Sequence, residues 1–166
     1  MINHFKKNYI IYLLILLIVI VILAIKFVPR TKKVLLDTSM FNVIDTKEAL
    51  DLFSLEDNKA KLLMIGRNDC SACISFEPIL KIAIANYHFN VNYLELSLID
   101  NSDKKDELLR KLDYEYTLDG NTDNFSSFLG VTPMIIVIKN GRMVYGTIGT
   151  LNQEELKSII DKYEIN

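Results

Sequence analysis

The sequence predicts an α/β domain carried behind an N-terminal membrane-spanning helix, and three observations lead there. Apolar runs of strand length alternate with helical patterns over residues 42–163, in the order β-α-β-α-β-α-β-β-α. Between Lys7 and Lys26 lie 18 residues without a charge. The two cysteines of the chain stand together as Cys70-Ser71-Ala72-Cys73, at the junction of a strand and a helix.

The charge is divided unevenly. The 166 residues sum to −2, but residues 1–33 carry six basic side chains (Lys6, Lys7, Lys26, Arg30, Lys32, Lys33) and no acid, leaving 34–166 at −8. That sets two regions, 1–33 as anchor and linker and 34–166 as the domain. The uncharged stretch reaches about 27 Å as a helix, close to the hydrocarbon thickness of a bilayer. Tyr9 and Phe27 fall where interfacial aromatics sit, so the lipid bilayer is expected to cover residues 9–28. A cleaved leader would have a shorter apolar core and small residues at the cut. Here Ala24 stands two positions after bulky Ile22, so the expectation is an uncleaved single pass in the cell membrane. Charges on the two flanks pull against each other and mildly favour a cytoplasmic domain, while the dithiol argues for the outside; the expected placement is extracytoplasmic.

The remaining 133 residues suffice for one domain with a core. Its acidity offers no positive stripe for phosphates, so no nucleic-acid partner is expected. Along the chain, Asn42–Ile44 reads as a short strand and Asp45/Thr46 as the cap of a helix running to about Leu55. Lys61–Gly66 is a continuous apolar run, the pattern of a strand buried on both faces. A long helix follows over Ser71–Tyr87, with Pro78 inside it and His88 at its end. Val91–Leu98 alternates as a strand, and Asp103–Leu112 reads as a charged helix. Residues 113–124 are polar and acidic and are expected to be a loop; Phe125–Leu129 reads as a helical turn. Met134–Lys139, the turn Asn140-Gly141 and Met143–Ile148 form a hairpin. An amphipathic helix over Asn152–Tyr163 closes the chain, with Asn152 and Glu155 spaced as a capping box.

Cys70 ends the loop between a buried strand and a helix, where free N–H groups and the helix dipole favour a thiolate. Cys73 lies one helical turn on, within bonding reach. This suggests that exposed Cys70 attacks and the more buried Cys73 resolves the mixed disulfide. Half of a zinc site and two inert core thiols are the alternatives; zinc lacks further ligands, since the histidines are His4 and His88.

At these residues the chain resembles the thioredoxin superfamily. The resemblance rests on Leu62–Gly66, Cys70 and Cys73, Pro78, Val131-Thr132-Pro133 before a strand, Lys139-Asn140-Gly141 in a hairpin and Gly149 before the last helix. More narrowly it is similar to the membrane-anchored thioredoxin-like proteins of Gram-positive bacteria, including the bacteriocin transport accessory proteins. The resemblance implies a central mixed sheet flanked by helices and a cis Pro133 packed beside the cysteines. It also implies that Thr132 and Pro133 bind the substrate strand, and that Gly149 allows a partner backbone to approach.

Departures from the family pattern stand at three places, one of them Ser71-Ala72, which has neither the Gly-Pro of thioredoxin nor the His of the strong oxidants and so brings no extra thiolate stabiliser. Thioredoxins carry a buried acid six residues before the first cysteine, where this chain has Met64. They place an aromatic just before that cysteine, where this chain has Asp69, an anion expected to raise the Cys70 pKa. Glu77 is one candidate replacement for the missing acid. The stretch Leu98–Pro133 is longer than thioredoxin's and acidic, so it is expected to border the active-site face. Within it, Asp119-x-Asn121-x-Asp123 imitates the start of a calcium loop, but Asn124 and Gly130 stand where that loop needs Gly and Glu. No metal is expected.

The function expected is a membrane-tethered thiol–disulfide oxidoreductase. Its partners would be protein or peptide thiols and disulfides and a redox partner protein. The Cys70–Cys73 pair is itself the redox group, so no separate cofactor is expected. The alternative is a membrane-anchored accessory module, for example assisting peptide export, in which the dithiol is dispensable.

Overall fold

The computed structural model describes residues 2–27, 34–54, 58–100 and 102–166. They fall into two units, Met1–Lys33 and Val34–Asn166. The first is one helix, α1, over Ile2–Phe27. Its described side chains run unbroken from Tyr12 to Leu23, all of them exposed. Twelve residues reach only about 18 Å as a helix, and among the described residues no helix is long and apolar enough to cross a membrane. The anchor expected over residues 9–28 thus extends beyond the residues whose side chains are described.

The second unit contains β1 (Asn42–Ile44), α2 (Thr46–Leu52), β2 (Lys61–Gly66), α3 (Ser71–Tyr87), β3 (Val91–Glu95), α4 (Leu96–Asp100) and α5 (Lys105–Lys111). It continues with β4 (Glu115–Leu118), β5 (Asn121–Asn124), a 3₁₀ turn at Phe125–Phe128, β6 (Met134–Lys139), β7 (Arg142–Ile148) and α6 (Gln153–Tyr163). Five strands form one sheet in the order β1-β3-β2-β6-β7. β1 and β2 run parallel to β3, whereas β6 is antiparallel to both β2 and β7. The sheet is mixed.

Strand alternation divides the core between the two faces. Leu62 and Met64 of β2, Tyr93 of β3, and Ile135 and Val137 of β6 meet Cys73, Phe76 and Leu80 of α3 and Leu156 and Ile160 of α6. Leu63 and Ile65, Leu94, and Ile136 and Ile138 point the other way, onto Ala49 and Phe53 near α2, Ile99 of α4 and Leu108 of α5. This double burial is why β2 and β6 read as unbroken apolar runs.

Local signals end the elements where the sequence places them. Asp45 with Glu48 and Asn152 with Glu155 each form a reciprocal capping box. The β6–β7 turn takes left-handed φ at Asn140 and Gly141. A Cβ on Gly141 would lie 2.6 Å from the Phe53 carbonyl oxygen, so glycine is required there twice over.

Two segments depart from expectation. The strand expected over Val91–Leu98 stops at Glu95 and continues as α4, because Leu96 and Ile99, three apart, are both buried and a strand cannot bury both on one face. Residues 113–124 contain a hairpin, β4–β5, in place of the expected loop. Its turn is Asp119-Gly120, with φ of 50° and 81°, the dipeptide that a two-residue hairpin turn favours.

Candidate active site

Cys70 is the N-cap of α3, with extended backbone (φ −75°, ψ 117°). It follows the loop Arg67–Asp69, which leaves the carboxyl end of central strand β2. From there its Sγ faces the helix start and the peptide before Pro133. The Cys73 N–H donates to Cys70 Sγ at 3.2 Å, and Cys70 Sγ donates to the Thr132 carbonyl at 3.4 Å. The Thr132–Pro133 bond is cis, and the Pro133 carbonyl accepts from the Gly149 N–H at 2.8 Å. Two pairs far apart in sequence therefore meet at one end of the sheet, Cys70 with Cys73 and Thr132 with Pro133.

Both cysteines are free thiols. Cys70 is only 6% exposed, less open than the sequence suggests, because the Thr132 peptide lies against it; Cys73 is wholly buried. Their ionisation differs. Burial works against the Cys70 thiolate, but hydrogen bonds from the Cys73 and Thr132 side chains and from the Ala72 and Cys73 backbone outweigh it, so this thiol sits below the ordinary cysteine value. Burial, reinforced by the hydrogen bond with Cys70, pushes the Cys73 thiol up to about 12. The upward shift expected at Cys70 from Asp69 is not what the structure gives. The Asp69 carboxylate is exposed and stands 3.7 Å from Arg67 Nε, and the donors at the helix start decide the direction.

Glu77 is committed elsewhere: Oε1 pairs with Lys81 at 2.9 Å and Oε2 accepts the Asp37 N–H at 2.9 Å. His88 terminates α3 in the left-handed conformation, with φ 58°. Asp119, Asn121 and Asp123 belong to the β4–β5 turn and strand, and among the described residues no group of His, Cys, Asp and Glu is placed to hold a metal.

The hairpin does lie near the proline loop. The Tyr116 hydroxyl accepts the Ile148 N–H at 3.2 Å, one residue before Gly149, and its ring packs edge-on against Phe125 and Phe128.

The surroundings of the pair include residues that the sequence reading passed over. Gly66 leaves a gap: a Cβ there would stand 3.0 Å from Tyr93 Cε2, 3.3 Å from Cys73 Sγ and 3.4 Å from Met64 Cε. Tyr93 is 1% exposed and its hydroxyl donates to Glu95 Oε2 at 2.7 Å. The same oxygen accepts the Asn68 N–H at 3.0 Å. Asn68, two residues before Cys70, also accepts the Leu36 N–H on its carbonyl at 2.9 Å. A polar residue pair two apart inside an apolar strand, Tyr93 and Glu95, is the signal that could have marked this wall.

The architecture has counterparts among solved structures. Thioredoxin NaTrxh from Nicotiana alata superposes with a TM-score of 0.54 at 17% identity, covering 76% of this chain and 95% of its own. A thioredoxin from Fasciola hepatica gives 0.51 at 13% identity, covering 74% and 99%. The oxidised thioredoxin from Plasmodium falciparum gives 0.50 at 16%, covering 74% and 97%. The domain has a thioredoxin-like fold. No protein-family model and no curated protein matches the sequence, so the likeness is one of architecture.

Proposed function

We propose that this chain is a thiol–disulfide oxidoreductase acting on protein substrates. The observation that carries the reading is the asymmetry of the pair: Cys70 Sγ receives hydrogen bonds that favour its thiolate, while Cys73 is buried and held protonated. Cys70 attacks a substrate disulfide, giving a mixed disulfide and a substrate thiolate. Cys73 then displaces the second substrate sulfur and closes the Cys70–Cys73 bond; the reverse sequence oxidises a substrate dithiol. Thr132 and Pro133 form the platform beside the sulfur, where an extended substrate can pair with the Thr132 backbone. The cysteine pair supplies the redox chemistry without a separate cofactor, and a redox partner protein restores it.

The reading places α1 in the cell membrane as a single anchor, with the domain outside. It is supported by the 18 uncharged residues between Lys7 and Lys26 and by the continuous helix Ile2–Phe27. The exposed aliphatics from Leu13 to Leu23 add weight, since a surface of that kind calls for an apolar cover. That layout also matches the membrane-anchored thioredoxin-like proteins of Gram-positive bacteria, whose bacteriocin-transport members suggest exported peptides as substrates.

The test is trapping. The full-length Cys73→Ser chain should accumulate mixed disulfides with membrane or exported proteins, and Cys70→Ser should not. Equal trapping by both variants refutes the assignment. A double serine variant that keeps full biological activity shows an accessory module in place of an oxidoreductase, and a C-terminal reporter active only in the cytoplasm overturns the outward placement.

A further inference from the structure

We propose that Glu95, by way of the Tyr93 hydroxyl, receives the proton that Cys73 releases when it closes on the Cys70 mixed disulfide. This rests on the oxidoreductase reading above and names the group its second step needs. Cys73 is wholly buried, and in the mixed disulfide the Cys70 sulfur is already bonded, so the neighbouring thiol cannot take the proton. Met64, packed on the same side, has no basic atom. Glu77 has both oxygens engaged, by Lys81 and by the Asp37 N–H.

The geometry points instead across Gly66. Its missing side chain lets the edge of the Tyr93 ring and Cys73 Sγ border the same small space, 3.0 and 3.3 Å from where a Cβ would stand. Cε2 adjoins the carbon that bears the Tyr93 hydroxyl, and that hydroxyl already donates to Glu95 Oε2 at 2.7 Å. Glu95 is half-buried at the end of β3, so it bridges the closed pocket and solvent. Strand alternation puts residues 93 and 95 on the same side of β3, which is why both reach toward α3. Burial and Glu95 hold the Tyr93 hydroxyl above its ordinary pKa, so it stays neutral, able to take one proton as it gives up another.

The step balances. The Cys73 thiol loses its proton to the tyrosine oxygen as the tyrosine proton moves to the Glu95 carboxylate. The freed thiolate attacks Cys70 Sγ, the Cys70–Cys73 bond forms, and the bond to the substrate sulfur breaks with its electron pair leaving on that sulfur. The chain is oxidised by two electrons and the substrate disulfide is reduced. Glu95 then returns the proton to solvent.

The test uses the reduced full-length chain in detergent with 5,5′-dithiobis(2-nitrobenzoate), which releases one coloured thiolate when Cys70 attacks and a second when Cys73 closes. Glu95→Gln keeps an oxygen for the Asn68 N–H, so the loop stays held while the base is lost. In this variant and in Tyr93→Phe the second release should slow by about tenfold or more at neutral pH and recover as hydroxide rises. Glu77→Gln should close at the wild-type rate. Glu95→Gln and Tyr93→Phe closing at the wild-type rate across pH overturn the proposal. So does an equal slowing of both releases with an unchanged pH profile, since that marks a purely structural role. A wild type that releases no second thiolate refutes the resolving role of Cys73, and the oxidoreductase reading falls with it.

Discussion

Replacing Gly66 by alanine tests the packing around the buried thiol. The new methyl would sit 3.0 Å from Tyr93 Cε2, 3.3 Å from Cys73 Sγ and 3.4 Å from Met64 Cε. The methionine methyl stands at ordinary contact and can swing away, but the other two cannot retreat cheaply. The Tyr93 ring is pinned by its 2.7 Å bond to Glu95, and Cys73 rides on the first turn of α3. Overpacking of this kind costs about 1–3 kcal/mol. Losing a glycine from the unfolded chain returns about 0.4–1 kcal/mol, leaving a net destabilisation of about 1–2 kcal/mol. Urea unfolding of the reduced protein should show a lower midpoint with an unchanged slope. In a cycle with Tyr93→Phe, which frees the ring to move, the alanine should cost less. A Gly66→Ala protein as stable as wild type would mean that the strand shifts without resistance, and the picture of a rigid wall beside Cys73 would be wrong.

Further expectations concern ionisation and packing. Thiolate absorbance of the reduced chain should rise in two steps, the first below the ordinary cysteine range and lost in Cys70→Ser, the second near 12 and lost in Cys73→Ser. Because the folded Cys73 value lies above the unfolded one, its contribution is full below about 9 and declines as pH rises toward about 12. The stability difference between reduced wild type and Cys73→Ser should therefore shrink over that window; a constant difference contradicts the shift. Leu80→Ala, which empties a fully buried site between α3 and the sheet, should cost about 2–5 kcal/mol in chemical denaturation. Asn152→Ala removes the acceptor of the Glu155 N–H and should lower stability by about 1 kcal/mol, with no effect on thiol reactivity. Deleting residues 113–124 should change which disulfide peptides are reduced while leaving the five-stranded sheet intact; unchanged preference would show that the hairpin has no say in substrate choice.

The parts of the fold legible in the sequence are those where one local rule decides. β2, α3 and β6 occupy Lys61–Gly66, Ser71–Tyr87 and Met134–Lys139, the spans their apolar runs and flanking turns mark out. The two capping boxes and the Asn140-Gly141 turn are equally local. The β4–β5 hairpin is hard to see because its Asp119-Gly120 signal sits among polar residues, with Tyr116 and Leu118 as its half-buried apolar anchors. The direction at Cys70 is not legible for a different reason: sequence places Asp69 beside it but says nothing of how far the carboxylate turns toward Arg67. Tyr93 and Glu95 lie twenty or more residues from the cysteines, and only the register Met64↔Tyr93 between β2 and β3 brings them alongside.

The first residues of the domain are stitched into the machinery. Leu36 is buried in the same cluster as Cys70 and Cys73, and its N–H satisfies the carbonyl of Asn68. Asp37 is tied by its N–H to Glu77 and by its carboxylate to Lys81, two turns along α3. Any shortened version that begins after Asp37 would strip a donor from the loop that presents Cys70 and a cover from the thiol pocket. Its altered reactivity would then be mistaken for a property of the cysteines. A pull exerted on the chain from its N-terminal side would likewise strain the Leu36–Asn68 bond before any strand of the sheet, making the cysteine loop the first part of the domain to register tension.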